Sequence, residues 1–177
     1  INDSPLHYGD YSFRSKLIRM IFQDPSTSLN PRQRIGHILD FPLRLNSDLD
    51  AQAREKRINA TLRQVGLLPD HAAYYPHMLA PGQKQRVGLA RALILQPKVI
   101  IADEAMASLD MSMRSQLVNL LLELQNKHGL SYIFVTQHLG MMKHISDQVL
   151  VMSQGEVVER GGTADVLAAP LHNLDRK

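Results

Sequence analysis

The run Val99-Ile100-Ile101-Ala102 ends in two adjacent carboxylates, Asp103 and Glu104. A short β-branched run behind Pro97 reads as a buried strand, expected over Lys98 to Ala102. Acids at such a strand end are tolerable only where the sheet opens to solvent or ligand. The surrounding pattern fixes the rest. Ile18 to Phe22 is a second strand-like run and Ser131 to Val135 a third. A helix over Ser112 to His128, closed by Gly129, lies between the last two. Strands alternating with helices predict an α/β fold with a parallel sheet and crossover helices.

The segment from Gln23 to Gln96 supplies no strand pattern and reads as an insertion. Gln23-Asp24-Pro25-Ser26 and Asn30-Pro31 are loop punctuation. Asp50 and Ala51 open an amphipathic helix with Ile58, Leu62 and Val65 on one face, ending near Gly66. A further helix is expected from Gly82 to Gln96, stopped by Pro97. After Val135, a short helix over Leu139 to His144 precedes a hairpin. Its strands, Gln148 to Met152 and Val157 to Arg160, flank Gln154-Gly155. A last helical turn covers Thr163 to Ala168.

The 177 residues are 44% hydrophobic with a formal charge of +3 and no Cys. That composition supports a packed core and excludes disulfides and Cys-based zinc sites. Lys and Arg alternate with acids, as in Arg54-Glu55-Lys56-Arg57, and aromatics are 5%, which is not a nucleic-acid footprint. No apolar run approaches the roughly 18–20 residues that span a bilayer. Ile1 is not Met and opens a turn-like segment, so the N-terminus is expected to be a cut end.

Several residues can carry chemistry. Asp103 can hold Mg²⁺ through water, and Glu104 can orient or deprotonate an attacking water. For an isolated Asp-Glu pair, capping a following helix is the commoner role. Gly82-Gln83 opens a helix, where backbone N–H groups and the dipole favour an anion; an ordinary turn is the alternative. His138, after a β-branched strand, can bond a terminal phosphate or be structural. Gln23 can touch a metal or water, or be a plain loop residue. Ser108-Leu109-Asp110 is either a polar turn facing a partner or a helix cap. His71, His77, His128 and His144 lack metal-ligand spacing and read as structural or surface residues. No Gly-Lys pair occurs, so the chain contains no phosphate-cradling loop.

Taken together, these segments resemble the ATP-binding subunits of ABC transporters, in the oligopeptide/dipeptide importer branch. Ile21-Phe22-Gln23-Asp24-Pro25, continuing to Ser28-Leu29-Asn30-Pro31-Arg32, resembles that branch's Q-loop. LAPGQKQRVGLARAL, IIADEAMASLDMSMRSQL and VTQHLGMMKHISDQVLVM are similar to its later motifs. The resemblance implies a P-loop NTPase (RecA-like) core over residues 1–22 and 97–177. Residues 23–96 would be the Q-loop and helical signature subdomain. Gln23 would link nucleotide state to the membrane partner and help hold the metal. Leu79 to Gln83, with Ala80, Gly82 and Gln83, would be the signature bound to ATP across a dimer. Asp103 would be the Walker B aspartate and metal ligand, and Glu104 the catalytic base. Ser108 and Asp110 would form the D-loop, and His138 would be the switch histidine.

The implied cofactors are ATP and Mg²⁺. The implied partners are transmembrane permease subunits, a second ABC ATPase subunit, identical or not, and indirectly a periplasmic solute-binding protein; no nucleic acid is implied. The implied place is the cytoplasmic face of the plasma membrane, powering transport of peptides or similar small cationic solutes. Alternatives are a soluble ABC-type ATPase acting on DNA or ribosomes, and a degenerate cassette that only binds partners. There are two departures from the pattern. The phosphate loop and stacking aromatic would lie upstream of Ile1, so this fragment alone is expected to bind ATP poorly. Where the family has Ser and Gly, this chain has Ala80 and Pro81. Each lost charge-assisted bond would cost roughly 1.5–3 kcal/mol, so an asymmetric dimer is expected.

Overall fold

The computed structural model describes residue 9 and residues 11–22, 28–107 and 109–168. Gln23 and Ser108 lie outside the described residues. The chain divides into two compact units, residues 1–135 and 136–177.

The first unit is an α/β layer. It contains α1 (Tyr11–Leu17), β1 (Ile18–Ile21), α2 (Ile35–Asn46), α3 (Ala51–Gln64), α4 (Pro81–Leu93), β2 (Val99–Asp103), α5 (Met111–His128) and β3 (Ser131–Val135). The strands pair in parallel in the order β1-β2-β3. Ile18 lies opposite Val99, and Val99 opposite Ser131, so β2 is hydrogen-bonded on both sides. The strand-helix alternation thus gives the parallel sheet it implied. β2 starts and ends one residue later than the apolar run suggests, because Asp103 pairs with Val135.

The helical segment folds as its apolar spacing requires. In α2, Ile35, Ile38, Leu39 and Leu43 are buried, although Pro42 interrupts the ladder. In α3, Asp50 is the N-cap and its carboxylate accepts from the Ala53 N–H at 2.8 Å. Arg54 Nε donates to Asp40 Oδ1 at 2.7 Å, joining α3 to α2. Two short 3₁₀ turns, Pro69–Ala73 and Pro76–Met78, connect α3 to α4. The first packs on α2 so closely that a Cβ on Gly36 would sit 3.0 Å from the Ala72 carbonyl oxygen.

α4 begins one residue earlier and ends sooner than expected. Leu93 is its last residue, and Gln96 turns with φ 55°. The residue before a proline avoids helical geometry, so Pro97 ends the helix upstream of itself. α1 and the 3₁₀ turns have no counterpart in the sequence expectations. α5 closes with Gly129 at φ 62°, the left-handed C-terminal position that glycine occupies without strain.

The second unit holds α6 (Leu139–Ile145), an antiparallel hairpin of β4 (Gln148–Ser153) and β5 (Glu156–Gly162), and α7 (Thr163–Ala168). Gln154 at φ 51° and Gly155 at φ 85° make the tight turn their sequence implies. Among the described residues, no helix is long and apolar enough to cross a membrane.

Asp50→Ala removes the side-chain N-cap of α3. Urea unfolding should lose about 1 kcal/mol through a lower midpoint, with the slope unchanged.

Candidate functional site

Along β2, Ile100 and Ala102 are buried, while Val99, Ile101 and Asp103 are half-buried on the other face. Asp103 is the last paired residue. Glu104 then adopts φ 46°, a left-handed conformation that a non-glycine residue seldom takes. Its N–H donates to the Val135 carbonyl at 2.8 Å, and its own carbonyl accepts from Ala107 at 3.0 Å. The chain therefore leaves the sheet in one residue. Both carboxyl-bearing residues stay at the carboxyl end of the central strand, where open parallel sheets bind ligands.

The cap of α5 is Asp110, whose Oδ1 accepts from the Met113 N–H at 2.9 Å. Asp110 thus takes the helix-capping role that the sequence left open beside a partner-facing one. Among the described residues no group of three or more His, Cys, Asp or Glu could hold a metal. Two carboxyls at one strand end suit a hydrated Mg²⁺, which takes one or two carboxylates and completes its shell with water and phosphate oxygens.

The start of α4 is the second part. Ala80 is its N-cap, at φ −65° and ψ 157°, and offers no side-chain cap. Pro81 occupies the first helical position, where its missing N–H breaks no helical bond. Gln83 closes half of a capping box: its Oε1 accepts from the Ala80 N–H at 2.9 Å. Gly82 faces the turn after Asp110, and a Cβ there would sit 3.0 Å from Met113 Sδ. The fold thus brings the Gly-Gln helix start against the first turn of α5.

His138 belongs to the second unit. It is exposed, precedes α6, and its N–H donates to Thr136 Oγ1 at 3.1 Å.

One residue of the first unit, Gln85, escaped the sequence reading, and His71, read there as structural or surface, makes a specific contact. Gln85 is 4% exposed, and its Nε2 has no hydrogen-bond partner among the described residues. It sits on α4 and lines a small cavity with Ile21, Ala102 and Leu117, facing the end of β2 and α5. His71 reaches Gln83, ring Nε2 to amide Nε2, at 3.3 Å. Neither carries a spacing signal, since both act through contacts made by the fold.

Comparison with known proteins defines the class first. Solved structures with this fold include a part of an ABC transporter complex and an ATP-binding cassette. One is cbiO1 of Clostridium perfringens, part of the ABC transporter complex cbiONQ. It matches with TM-score 0.84 and 29% identity over 95% of this chain and 66% of that one. Another is the dimeric post-hydrolysis ATP-binding cassette MJ0796 bound to ADP and Pi. Its TM-score is 0.75, with 26% identity over 86% of this chain and 66% of that one.

The ABC transporter family profile matches residues 1–107, and the chain belongs to that family. It is 80% identical over all 177 residues to the peptide transport system ATP-binding protein SapF of Salmonella typhimurium. It is 79% identical to the putrescine export system ATP-binding protein SapF of Escherichia coli. The chain spans 66% of the length of each. The oligopeptide transport ATP-binding protein OppF of Escherichia coli is 50% identical over 160 residues, 90% of this chain and 48% of that protein.

Replacing a buried orphan donor by an apolar group of similar shape is neutral or stabilising. Gln85→Met should therefore raise the unfolding free energy by about 1 kcal/mol, read as a higher urea midpoint.

Proposed function

We propose that this chain supplies half of the ATP-hydrolysing site of an ABC transport subunit, and the signature of another half-site across a dimer. The observation that carries this reading is the pair Asp103 and Glu104 at the end of the central parallel strand, with Glu104 fixed in a left-handed turn. Asp103 would hold Mg²⁺ through water, with Gln23 as a second contact; when bound, the ion would offset phosphate charge. Glu104 would act as general base toward the attacking water, and His138 would sense the terminal phosphate. Ser108 and Asp110 would face the partner cassette. Residues 23–96 would form the helical subdomain, and residues 1–22 and 97–177 the ATPase core.

The signature departs from its family pattern in a way that predicts unequal sites. Ala80 brings no hydroxyl and Pro81 no N–H, so the site completed by this chain's α4 would be the weaker one. The partner is then a second ATP-binding subunit with a fuller signature.

The membrane partner would be a permease subunit, placing the chain peripherally on the cytoplasmic face of the plasma membrane. A groove of about 800 Å³ in the first unit suits such a partner. Phe22, Phe41 and Leu45 line it together with Arg14, Arg19 and Arg91, and no carboxylate does. Burial, and then the Arg91 cation, lower the Arg19 pKa. Its Nε and Nη2 are buried without a partner among the described residues. An apolar helix bearing a carboxylate would fit both features. The solute would be a peptide or small cation, in keeping with the peptide and putrescine named for the relatives.

The test is turnover by the assembled full-length pair. Glu104→Gln should lower ATP hydrolysis about a hundredfold or more while nucleotide binding persists. Hydrolysis that survives the change removes Glu104 from the base role. Arg19→Glu should weaken co-purification with the permease while leaving the fold intact by circular dichroism. Undiminished co-purification removes the groove from the contact.

A further inference from the structure

Gln85 is buried on α4, yet its Nε2 has no hydrogen-bond partner among the described residues. A buried amide left unpaired costs stability, so its place in the core calls for a reason. The cavity it lines has a volume of about 10 Å³. Ile21, Ala102, Ala105 and Met106 line it from the strand ends, and Leu117 and Leu121 from α5. That space is about the size of one water, and a buried water needs two to four polar partners. The Gln85 amide is the only strongly polar side chain in the lining, the Met106 thioether being a weak acceptor. What the cavity offers the amide is backbone.

The lining also sets Gln85 beside the acidic bend. Ala102 and Ala105, both buried, flank Asp103 and Glu104 in the chain. Between them the chain turns through Glu104 at φ 46°, held by the Glu104 N–H on Val135 and the Ala107 N–H on Glu104. The backbone just past Glu104 is thinly bonded. The Met106 carbonyl accepts from Leu109 at 3.3 Å, a long bond, and Ala105 makes no backbone hydrogen bond among the described residues. An unpaired donor and a thinly bonded backbone therefore line one cavity. Gln85 also lies three residues after Gly82, on the same face of α4, and borders Met113 and Leu117 with it. It is common to the start of α4 and to the acidic bend.

We infer that Gln85 is a positioning residue for Glu104: its amide donates to the backbone of Ala105 and Met106 in the arrangement that hydrolyses ATP, and so fixes the bend that carries the carboxylate. This rests on the proposed roles of Asp103 and Glu104, and adds a residue from a different element. A bond unmade in one arrangement and made in another favours the second by its full worth. A bond made equally in both would add stability and no turnover. The orphan amide is thus a cost to the resting fold that the hydrolysing arrangement recovers. A glutamine with a purely structural role would have its partners in this structure, and replacing it would weaken the fold.

Stability and turnover should therefore move in opposite directions. In the full-length protein paired with its partner cassette, Gln85→Met should lower kcat about fivefold, the worth of one neutral hydrogen bond. KM for ATP should stay within about twofold, since the bond is made after binding. The same variant should unfold at a higher urea midpoint. Unchanged kcat overturns the assignment, and so does a fall in both stability and kcat, which marks a structural glutamine. In a Glu104→Gln background, Gln85→Met should cost nothing further, because a residue acting through Glu104 has nothing left to position. A second loss of the same size overturns the inference. The side-chain amide resonance of Gln85, identified by its absence in Gln85→Met, reads the bond directly. Adding ATP and Mg²⁺ to the Glu104→Gln pair should move its proton shift downfield, and an unmoved resonance is a further refutation. Hydrolysis that survives Glu104→Gln removes the ATPase reading itself. Hydrolysis lost in Glu104→Gln but untouched in Gln85→Met removes only the role of Gln85.

Discussion

The N–H of Glu104 donating to the Val135 carbonyl is the bond on which the site geometry depends. It extends the β2–β3 ladder one residue past Asp103, although Glu104 has already left strand geometry. A strand bonded on both sides frays little at its end. The left-handed turn is thus imposed on Glu104 by its neighbours, and local backbone strain of this kind persists only where the surroundings over-determine it. The Glu104 backbone is placed by the sheet, and a flexible loop is not needed to present the residue.

α4 performs the matching task for its own first turn. Its buried face, with Val87, Leu89, Ala90 and Leu93, packs into the first unit, so its N-terminus cannot drift independently of the sheet. Arg86 reinforces this by donating to the Val65 carbonyl at 2.7 Å, and Gly66 leaves room for that guanidinium. A Cβ on Gly66 would fall 2.6 Å from Arg86 Nη1. The end of α3 and the start of α4 are therefore one packed unit, although sixteen residues and two 3₁₀ turns separate Gln64 from Pro81.

What could be read from the sequence was whatever depends on near neighbours. Asp50 before Ala51, Gly129 after His128 and Gln154-Gly155 between two β-rich runs each act within a few residues, and each appears where its chemistry places it. In the sequence, Gln23, Asp103 and His138 each come at or after a strand-like run, and that order pointed to a family whose fold the solved relatives share. What could not be read depends on contacts that the fold creates. Nothing in Ala102-Asp103-Glu104 marks Glu104 for a left-handed turn, since glutamate is no turn former. His71 read only as a structural or surface histidine, because its partner is reached through the intervening 3₁₀ geometry. α4 stops at Leu93 because Pro97 acts through the residue before it, an effect that apolar spacing alone overruns.

The Ala80-Pro81 pair separates two requirements that the family's Ser-Gly pair meets together. For folding, the pair is adequate. Proline presets the backbone angle of the first helical position, and its missing N–H would have had no helical partner. Gln83 Oε1 takes up the Ala80 N–H, although no side chain takes the N–H groups that a serine there would cap. For binding an anion, the same pair is poor, because the donors folding can do without are those a phosphate would use. A helix start can therefore be structurally complete and chemically depleted. Selection on stability alone would not remove such a change, while selection on hydrolysis would remove it unless a second, intact site carried the turnover.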